Sequence, residues 1–329
     1  MEVAGKHLGT GHTFIVAEIS ASHEGTLDKA EYLITQAKQA GADAVKFQVY
    51  KPECLTVDSD HPAYKLTKGP WSGQTLWQLY EKGTFPWEWL PDLFSFARET
   101  GLVPFASPFS RECIDALEAV DCPAYKIASP EIVDLGLIRY AAETGKPLVM
   151  STGMADMKEI GKAVGAADRC VLLHCVSDYP TDIQDANLRR MEDLCDRFGR
   201  MVGLSDHSRG FVAPIAAVAL GAVIIEKHIM TDWPNDSLDR GFALEPSEFR
   251  EFVAMVRCAE LALRPKARDT EEASRQCRRR LVWVKDVKAG TLATEQNTRT
   301  ARASEGLYPS MLGEVITAQH DAKAGDPVA

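Results

Sequence analysis

Two histidines, His207 and His228, each close a short apolar run, and imidazoles on neighbouring elements could share one divalent cation. Manganese, iron, cobalt or zinc would suit such ligands, with water and substrate oxygens completing the shell. Ser205-Asp206-His207 could instead be a hydrogen-bonded structural corner. Lys46 and Lys126, with hydroxyls such as Ser107, Ser129, Ser151 and Ser205, suit a small phosphorylated or carboxylated anion. A Schiff-base lysine is the rival chemistry, although two lysines beside a metal site favour anion binding. Glu18 and Glu226 are candidates for proton transfer or for orienting hydroxyls and water. Taken singly, each residue has a bland reading, since a strand-end serine often caps a loop and a lysine is usually solvated or ion-paired.

Their positions are what unites them. Apolar, β-branched runs recur at Phe14–Ser20, Ala44–Val49, Val103–Ser107, Ala124–Ser129, Pro147–Thr152, Cys170–Val176, Met201–Asp206 and Ala222–His228. Stretches of helical period separate most of them; Leu27, Ala30, Leu33, Ile34, Ala37 and Ala40 share one face that Thr26 could cap and Gly41 could end. Eight strands alternating with helices predict an α/β fold, a (β/α)8 TIM barrel, over residues 1–264. A doubly wound open sheet is the alternative, but the first strand-to-helix turn carries no Gly-x-Gly-x-x-Gly. Barrel chemistry gathers at the carboxyl ends of the strands, and nearly every run here ends in polar groups, including Gln48, His174, Ser177 and Tyr179. An inert barrel has no need of so many inward polar side chains. Period-two alternation puts Lys46 with Gln48, and Glu226 with His228, on one face, and sends Lys227 into the helical shell. Residues 51–101 hold four of the six tryptophans and are predicted to pack over one barrel end.

Composition narrows the partners. The 329 residues carry a net charge of −10, a poor match for nucleic acid or anionic membranes, which are themselves negative. The apolar run from Phe211 to Ile225 is too short to span a membrane, and no secretory signal opens the chain. Eight scattered cysteines without a Cys-x-x-Cys pair predict reduced thiols in a cytoplasmic protein.

Several motifs resemble the sialic acid synthase family. They are Val-Ala-Glu-Ile-Ser-Ala-Ser-His-Glu-Gly at 16–25, Gly-Ala-Asp-Ala-Val-Lys-Phe-Gln at 41–48 and Tyr-Lys-Ile-Ala-Ser at 125–129. Ser-Thr-Gly-Met at 151–154, Leu-Leu-His-Cys at 172–175, Gly-Leu-Ser-Asp-His-Ser at 203–208 and Ile-Glu-Lys-His at 225–228 continue the series in order. The resemblance implies condensation of phosphoenolpyruvate with an N-acylamino sugar aldehyde, giving a nine-carbon 2-keto acid and phosphate. It implies a divalent metal, commonly Mn2+ with Mg2+ or Co2+ as alternatives, on His207 and His228. Glu18 then matches the acid at the reacting centre, and Lys46, Ser107, Lys126, Ser129, Ser151 and Ser205 the phosphoenolpyruvate site. Gln48, Glu131, Ser177 and Tyr179 fall where the sugar binds. Ser177-Asp178-Tyr179-Pro180 departs from the Asn-x-Tyr-Pro of N-acetylneuraminate synthases and, with Gly306-Leu-Tyr-Pro309, leans toward the legionaminate and pseudaminate branches. The loop Trp233–Arg240 also departs from the family's versions.

Residues 265–280 are charged and read as a linker; 281–329 then form a small module. Asp286-Val-Lys-Ala-Gly290 recurs as Asp321-Ala-Lys-Ala-Gly325, which predicts two related halves. The module resembles the antifreeze-like (SAF, β-clip) domain that ends sialic acid synthases. That resemblance implies a domain-swapped homodimer in which Arg302 reaches the partner's sugar. Ala303-Ser304 replaces the family's Pro-Gly after that arginine, and the chain stops at Pro327-Val-Ala, where a final strand is expected. Two alternatives stand beside the synthase: another phosphoenolpyruvate-using 3-deoxy-sugar-acid synthase, and a silent sugar-binding barrel.

Overall fold

In the computed structural model the apolar runs become eight parallel strands that close on themselves as a barrel. They are β1 (Phe14–Glu18), β2 (Ala44–Val49), β3 (Val103–Pro108), β4 (Tyr125–Ile127), β5 (Leu148–Ser151), β6 (Cys170–Cys175), β7 (Val202–Asp206) and β8 (Ile224–His228). Each strand pairs with its successor, and β8 returns to β1 with His228 opposite Glu18. The (β/α)8 architecture is therefore the fold, and the open sheet is excluded by closure. Strands buried on both faces need near-continuous apolar sequence, as Ile15, Val16 and Ala17 illustrate with no exposed surface. The structure describes residues 1–233, 236–265 and 271–329, so Pro234 and Asn235 of the loop after β8 and 266–270 of the linker lie outside the described residues.

Two strand ends differ from the sequence pattern for local reasons. The run from Phe14 stops at Glu18 because Ser20 takes a left-handed φ of 45° and its N–H donates to the Glu18 carboxylate at 2.7 Å. The run from Ala124 shortens to Tyr125–Ile127, since Ser129 already opens the 3-10 turn Pro130–Val133. The first helix, Leu27–Ala40, buries Ala30, Leu33, Ile34, Ala37 and Ala40 as its period requires. It ends at Gly41, whose φ of 90° suits a residue without a Cβ. Thr26 does not cap it; its hydroxyl donates to the His23 carbonyl instead. On β7, Gly203 admits the neighbouring strand: a Cβ there would stand 2.3 Å from the Ile224 carbonyl oxygen.

The long excursion after β2 folds as turns Pro52–Cys54 and Pro62–Tyr64, then a helix Leu76–Lys82 fixed by a capping box of Thr75 and Gln78. The chain divides into two units, Met1–Arg264 and Pro265–Ala329. In the second, β9 (Arg279–Trp283) runs antiparallel to β10 (Thr298–Arg302) over a small core of Leu281, Trp283, Val287, Ala318, Ala322 and Val328. Val328 donates its N–H to Leu281 O at 2.9 Å, so residues near 327 lie along β9.

The repeated pentapeptides of this unit bind each other. Val287 and Ala322 exchange backbone hydrogen bonds of 2.8 and 3.0 Å. Asp321 accepts from Ala289 N at 3.0 Å, and Asp286 accepts from Ala324 N at 2.9 Å. Gly290 N donates to Ala318 O and Gly325 N to Trp283 O, both at 2.8 Å. The echo in sequence is thus an approximate two-fold relation in space.

Candidate active site

Charge is concentrated where β1, β2, β4 and β8 end. Lys46 pairs with Glu18, stands 3.7 Å from Glu226 and donates to the Ser107 hydroxyl at 3.2 Å. Lys126 approaches the same Glu226 oxygen at 3.5 Å, and the Ser205 hydroxyl donates to it at 3.0 Å. All four ionisable side chains are buried. Burial alone would lower the Lys46 ammonium, but the carboxylates of Glu18 and Glu226 outweigh it and hold its pKa above the usual lysine value. Lys126 differs: burial lowers it further than Glu226 restores. Burial raises Glu226 as well, yet Lys126, Lys46 and His228 pull it down to about 2, so it stays ionised. Burial drives Glu18 the other way, above its ordinary value, despite Lys46.

Above this cluster opens a cavity of about 490 Å³. Its floor carries Lys46, Ser107, Lys126, Ser129, Ser151, Ser205 and Glu226, and its walls carry Gln48, Glu131, Ser177 and Tyr179. Glu18 lies beneath, covered by Lys46, and takes no part in the lining. His174 stays outside too, bonding the Ala186 carbonyl at 2.7 Å as a structural side chain. Arg302 ends β10 of the second unit. Burial pushes the Glu131 carboxyl up to about 7.

His207 and His228 meet on one side of the cavity, ring centroids 5.4 Å apart. His207 Nδ1 lies 3.0 Å from the Val176 carbonyl oxygen, and His228 Nδ1 lies 3.1 Å from an Asp239 carboxylate oxygen. An acceptor at each Nδ1 holds a proton on that nitrogen and turns Nε2 toward a ligand, the arrangement that metal-binding histidines use. The pair therefore fits a divalent cation with two protein ligands. Among the described residues no group of three or more His, Cys, Asp or Glu is placed to hold a metal.

The model of the NeuB family matches residues 33–268. The chain belongs to this family. That is the sialic acid synthase relationship its motifs announce. Pseudaminic acid synthase of Campylobacter jejuni is 42% identical over 323 residues, which cover 95% of this chain and 94% of that protein. N,N'-diacetyllegionaminic acid synthase of the same organism is 32% identical, over 93% of this chain and 96% of that protein. Among solved structures, N-acetylneuraminic acid synthetase of Leptospira borgpetersenii, crystallised with citrate, aligns with a TM-score of 0.73 at 30% identity, covering 83% of this chain and 95% of that one.

In this NeuB-family chain several further residues belong to the site, one of them from the departing loop Trp233–Arg240. Asp239, eleven positions after His228, orients that histidine from the irregular loop beyond β8. Phe242 packs against both histidines, with centroids 5.7 and 4.8 Å away. Lys68 and Trp71, from the excursion after β2, close the cavity wall, and Trp71 packs at a tilt against Tyr179, ring centroids 5.7 Å apart. Only the clustering of tryptophans hinted at this wall. Lys227 follows its expected outward course and donates to Asp206 at 2.6 Å and to the Ser208 carbonyl, clamping the turn that carries His207. The second unit has an open hollow of about 570 Å³ lined by Arg278, Arg279, Tyr308, Pro309 and Ser310, without an acid–base pair. No helix among the described residues is long and apolar enough to cross a membrane.

Proposed function

We propose that this chain is a nonulosonate synthase that condenses phosphoenolpyruvate with an N-acylamino sugar aldehyde, releasing phosphate. The observation that carries the reading is one cavity floored by two buried lysines and several hydroxyls and flanked by two oriented histidines. The lysines and the serine hydroxyls bind the phosphate and carboxylate of phosphoenolpyruvate, holding its carbon 3 toward the aldehyde. Glu18 and Glu226 balance the two ammonium charges before substrate enters. Glu18, dry and shifted upward, moves a proton or orients water at the centre. Gln48, Glu131, Ser177 and Tyr179 hold the sugar from the wall. His207 and His228 would hold a divalent cation, Mn2+ with Mg2+ or Co2+ as alternatives, which would supply Lewis-acid polarisation of the aldehyde oxygen.

Greater identity to the pseudaminic than to the legionaminic acid synthase of one organism, 42% against 32%, supports a substrate among the diacetamido-dideoxy hexoses of the pseudaminate branch. The second unit is proposed as an antifreeze-like module that brings Arg302 to a partner's sugar in a domain-swapped homodimer. The test is phosphate release from phosphoenolpyruvate with a panel of N-acetylmannosamine, diacetamido-dideoxy hexoses and phosphorylated aldoses, with and without chelator. Chelator-sensitive turnover with a diacetamido sugar is expected. No turnover with any amino sugar sinks the synthase reading, and turnover confined to phosphorylated aldoses moves the chain to the 3-deoxy-sugar-acid synthases.

A further inference from the structure

Cys54 and Cys113 lie 59 positions apart in sequence, yet their sulfurs stand 3.7 Å from each other. The topology explains the meeting. Cys54 closes the turn that follows β2, Cys113 sits in the first turn of helix Arg111–Glu118 after β3, and β2 and β3 are neighbours in the barrel. Cys54 is half-buried and Cys113 fully buried, so one thiol meets solvent and the other waits behind it. The Ser110 hydroxyl, which caps that helix, lies 3.2 Å from the Cys113 sulfur. A hydrogen bond from Cys113, with help from the Lys51 backbone and Ser110, lowers the Cys54 thiol to about 6 against the opposing effect of burial. Thiolate character and access are what make a cysteine reactive, and a resolving thiol alongside is the usual setting of a redox-sensing one.

We propose that Cys54 and Cys113 form a reversible disulfide, with a peroxide as the oxidant. The Cys54 thiolate attacks the peroxide O–O bond, becomes a sulfenic acid and releases hydroxide. The Cys113 sulfur then attacks the sulfenic sulfur, forming the S–S bond as hydroxide leaves and its thiol proton is lost. In sum, two thiols and one hydrogen peroxide give one disulfide and two waters. The sulfurs must close from 3.7 Å to a bonded separation of about 2.05 Å. Leu55 and Phe109 line the cavity next to these segments, so the bond ties together two loops that build one wall of the site.

The remaining cysteines supply internal controls. Cys195, Cys258 and Cys277 are exposed, whereas Cys122, Cys170 and Cys175 are buried. The reduced full-length protein is treated with hydrogen peroxide, alkylated and mapped by peptide mass. The expected product joins the Cys54 and Cys113 peptides with a loss of about 2 Da and reverts with dithiothreitol. In Cys113→Ser the Cys54 peptide should instead accumulate sulfenic and then sulfinic acid, and in Cys54→Ser no Cys113 adduct should form. Wild-type protein in which Cys54 oxidises as it does in Cys113→Ser, with no linked peptide, overturns the proposal. So does a disulfide that joins only the exposed cysteines. The wild-type map decides the matter even if a variant folds poorly.

Discussion

The two ends of the barrel both bury charge, and they treat it differently. At the amino-terminal end Asp43 accepts from Ile15 N at 2.9 Å and from Arg257 at 2.8 Å, and its other oxygen pairs with His12 at 2.8 Å. Glu260 accepts from Thr13 N at 2.6 Å and from Arg257 at 2.7 Å, while Arg257 also donates to the Thr13 carbonyl. Each carboxylate is engaged by more than one donor, so the network ties helix Pro246–Leu263 to the starts of β1 and β2. At the carboxyl end an oxygen of Glu226, an oxygen of Glu131 and the Ser151 hydroxyl are buried without a hydrogen-bond partner. Buried polar groups left unpaired are costly and rare, and a site that awaits a polar ligand is where they persist. One end is built for stability and the other for binding.

The sharpest way to break that contrast is Lys126→Met. Its ammonium is held below its usual pKa by burial, and Glu226 would keep Lys46 and Ser205 after the change. Loss of one preorganised charge from the phosphate site should lower kcat/KM by about 10²–10³-fold in the phosphate-release assay. The melting temperature should change little, because the desolvation cost of the buried ammonium is removed while Glu226 keeps Lys46 and Ser205. A large fall in melting temperature with little loss of rate would invert the comparison. Asp43→Ala is the reverse experiment. It strands the Ile15 N–H and takes from Arg257 one of its two carboxylate partners, and should cost roughly 3 kcal/mol in urea unfolding with kcat nearly unchanged.

Glu131→Gln tests the binding end through pH. The folded-state pKa near 7 lies above the ordinary carboxyl value of 4.5, so between those values the folded chain holds a proton that the unfolded chain has released. Stability therefore falls as pH rises through this window and levels off above about 7. Under the proposed function the neutral carboxyl would donate a hydrogen bond to the sugar, and that donor would be lost over the same range. The sugar KM of the wild type should rise with pH through about 7, while the glutamine variant, always a donor, should show neither slope. An unchanged pH profile in the variant removes Glu131 from the sugar site.

These outcomes also mark what was legible beforehand. Barrel strands announce themselves because a sheet buried on both faces needs unbroken apolar runs, and Lys46, Lys126, His207 and His228 stand out as ionisable groups at their ends. The bonds between sites were not legible, because sequence gives the end of a strand but not which neighbour its side chain meets. Asp239 at His228 and Cys113 at Cys54 come from irregular loops or helix starts, where no periodicity fixes direction. Asp43 precedes β2 and Arg257 rides helix Pro246–Leu263, 214 positions away, and only barrel closure brings them together.

The smallest predicted effect compares two hydroxyls at the binding end itself. Ser205 already donates to Glu226 at 3.0 Å, whereas Ser151, equally buried, has no partner. Removing Ser205 should therefore weaken folding by about 1 kcal/mol, since Glu226 loses one of its donors. Removing Ser151 leaves no protein group unpaired, so Ser151→Ala should be neutral or slightly stabilising. Under the proposed function its hydroxyl would find a partner only when the anion arrives, and its loss should raise the phosphoenolpyruvate KM by about fivefold, the equivalent of one hydrogen bond near 1 kcal/mol. Measured melting temperatures and KM values for the two alanine variants separate the hydroxyl that holds the site from the one that waits for substrate. Equal stability losses would mean that Ser151 is a structural hydroxyl, and the orphaned atoms at this end would lose their meaning as a binding signature.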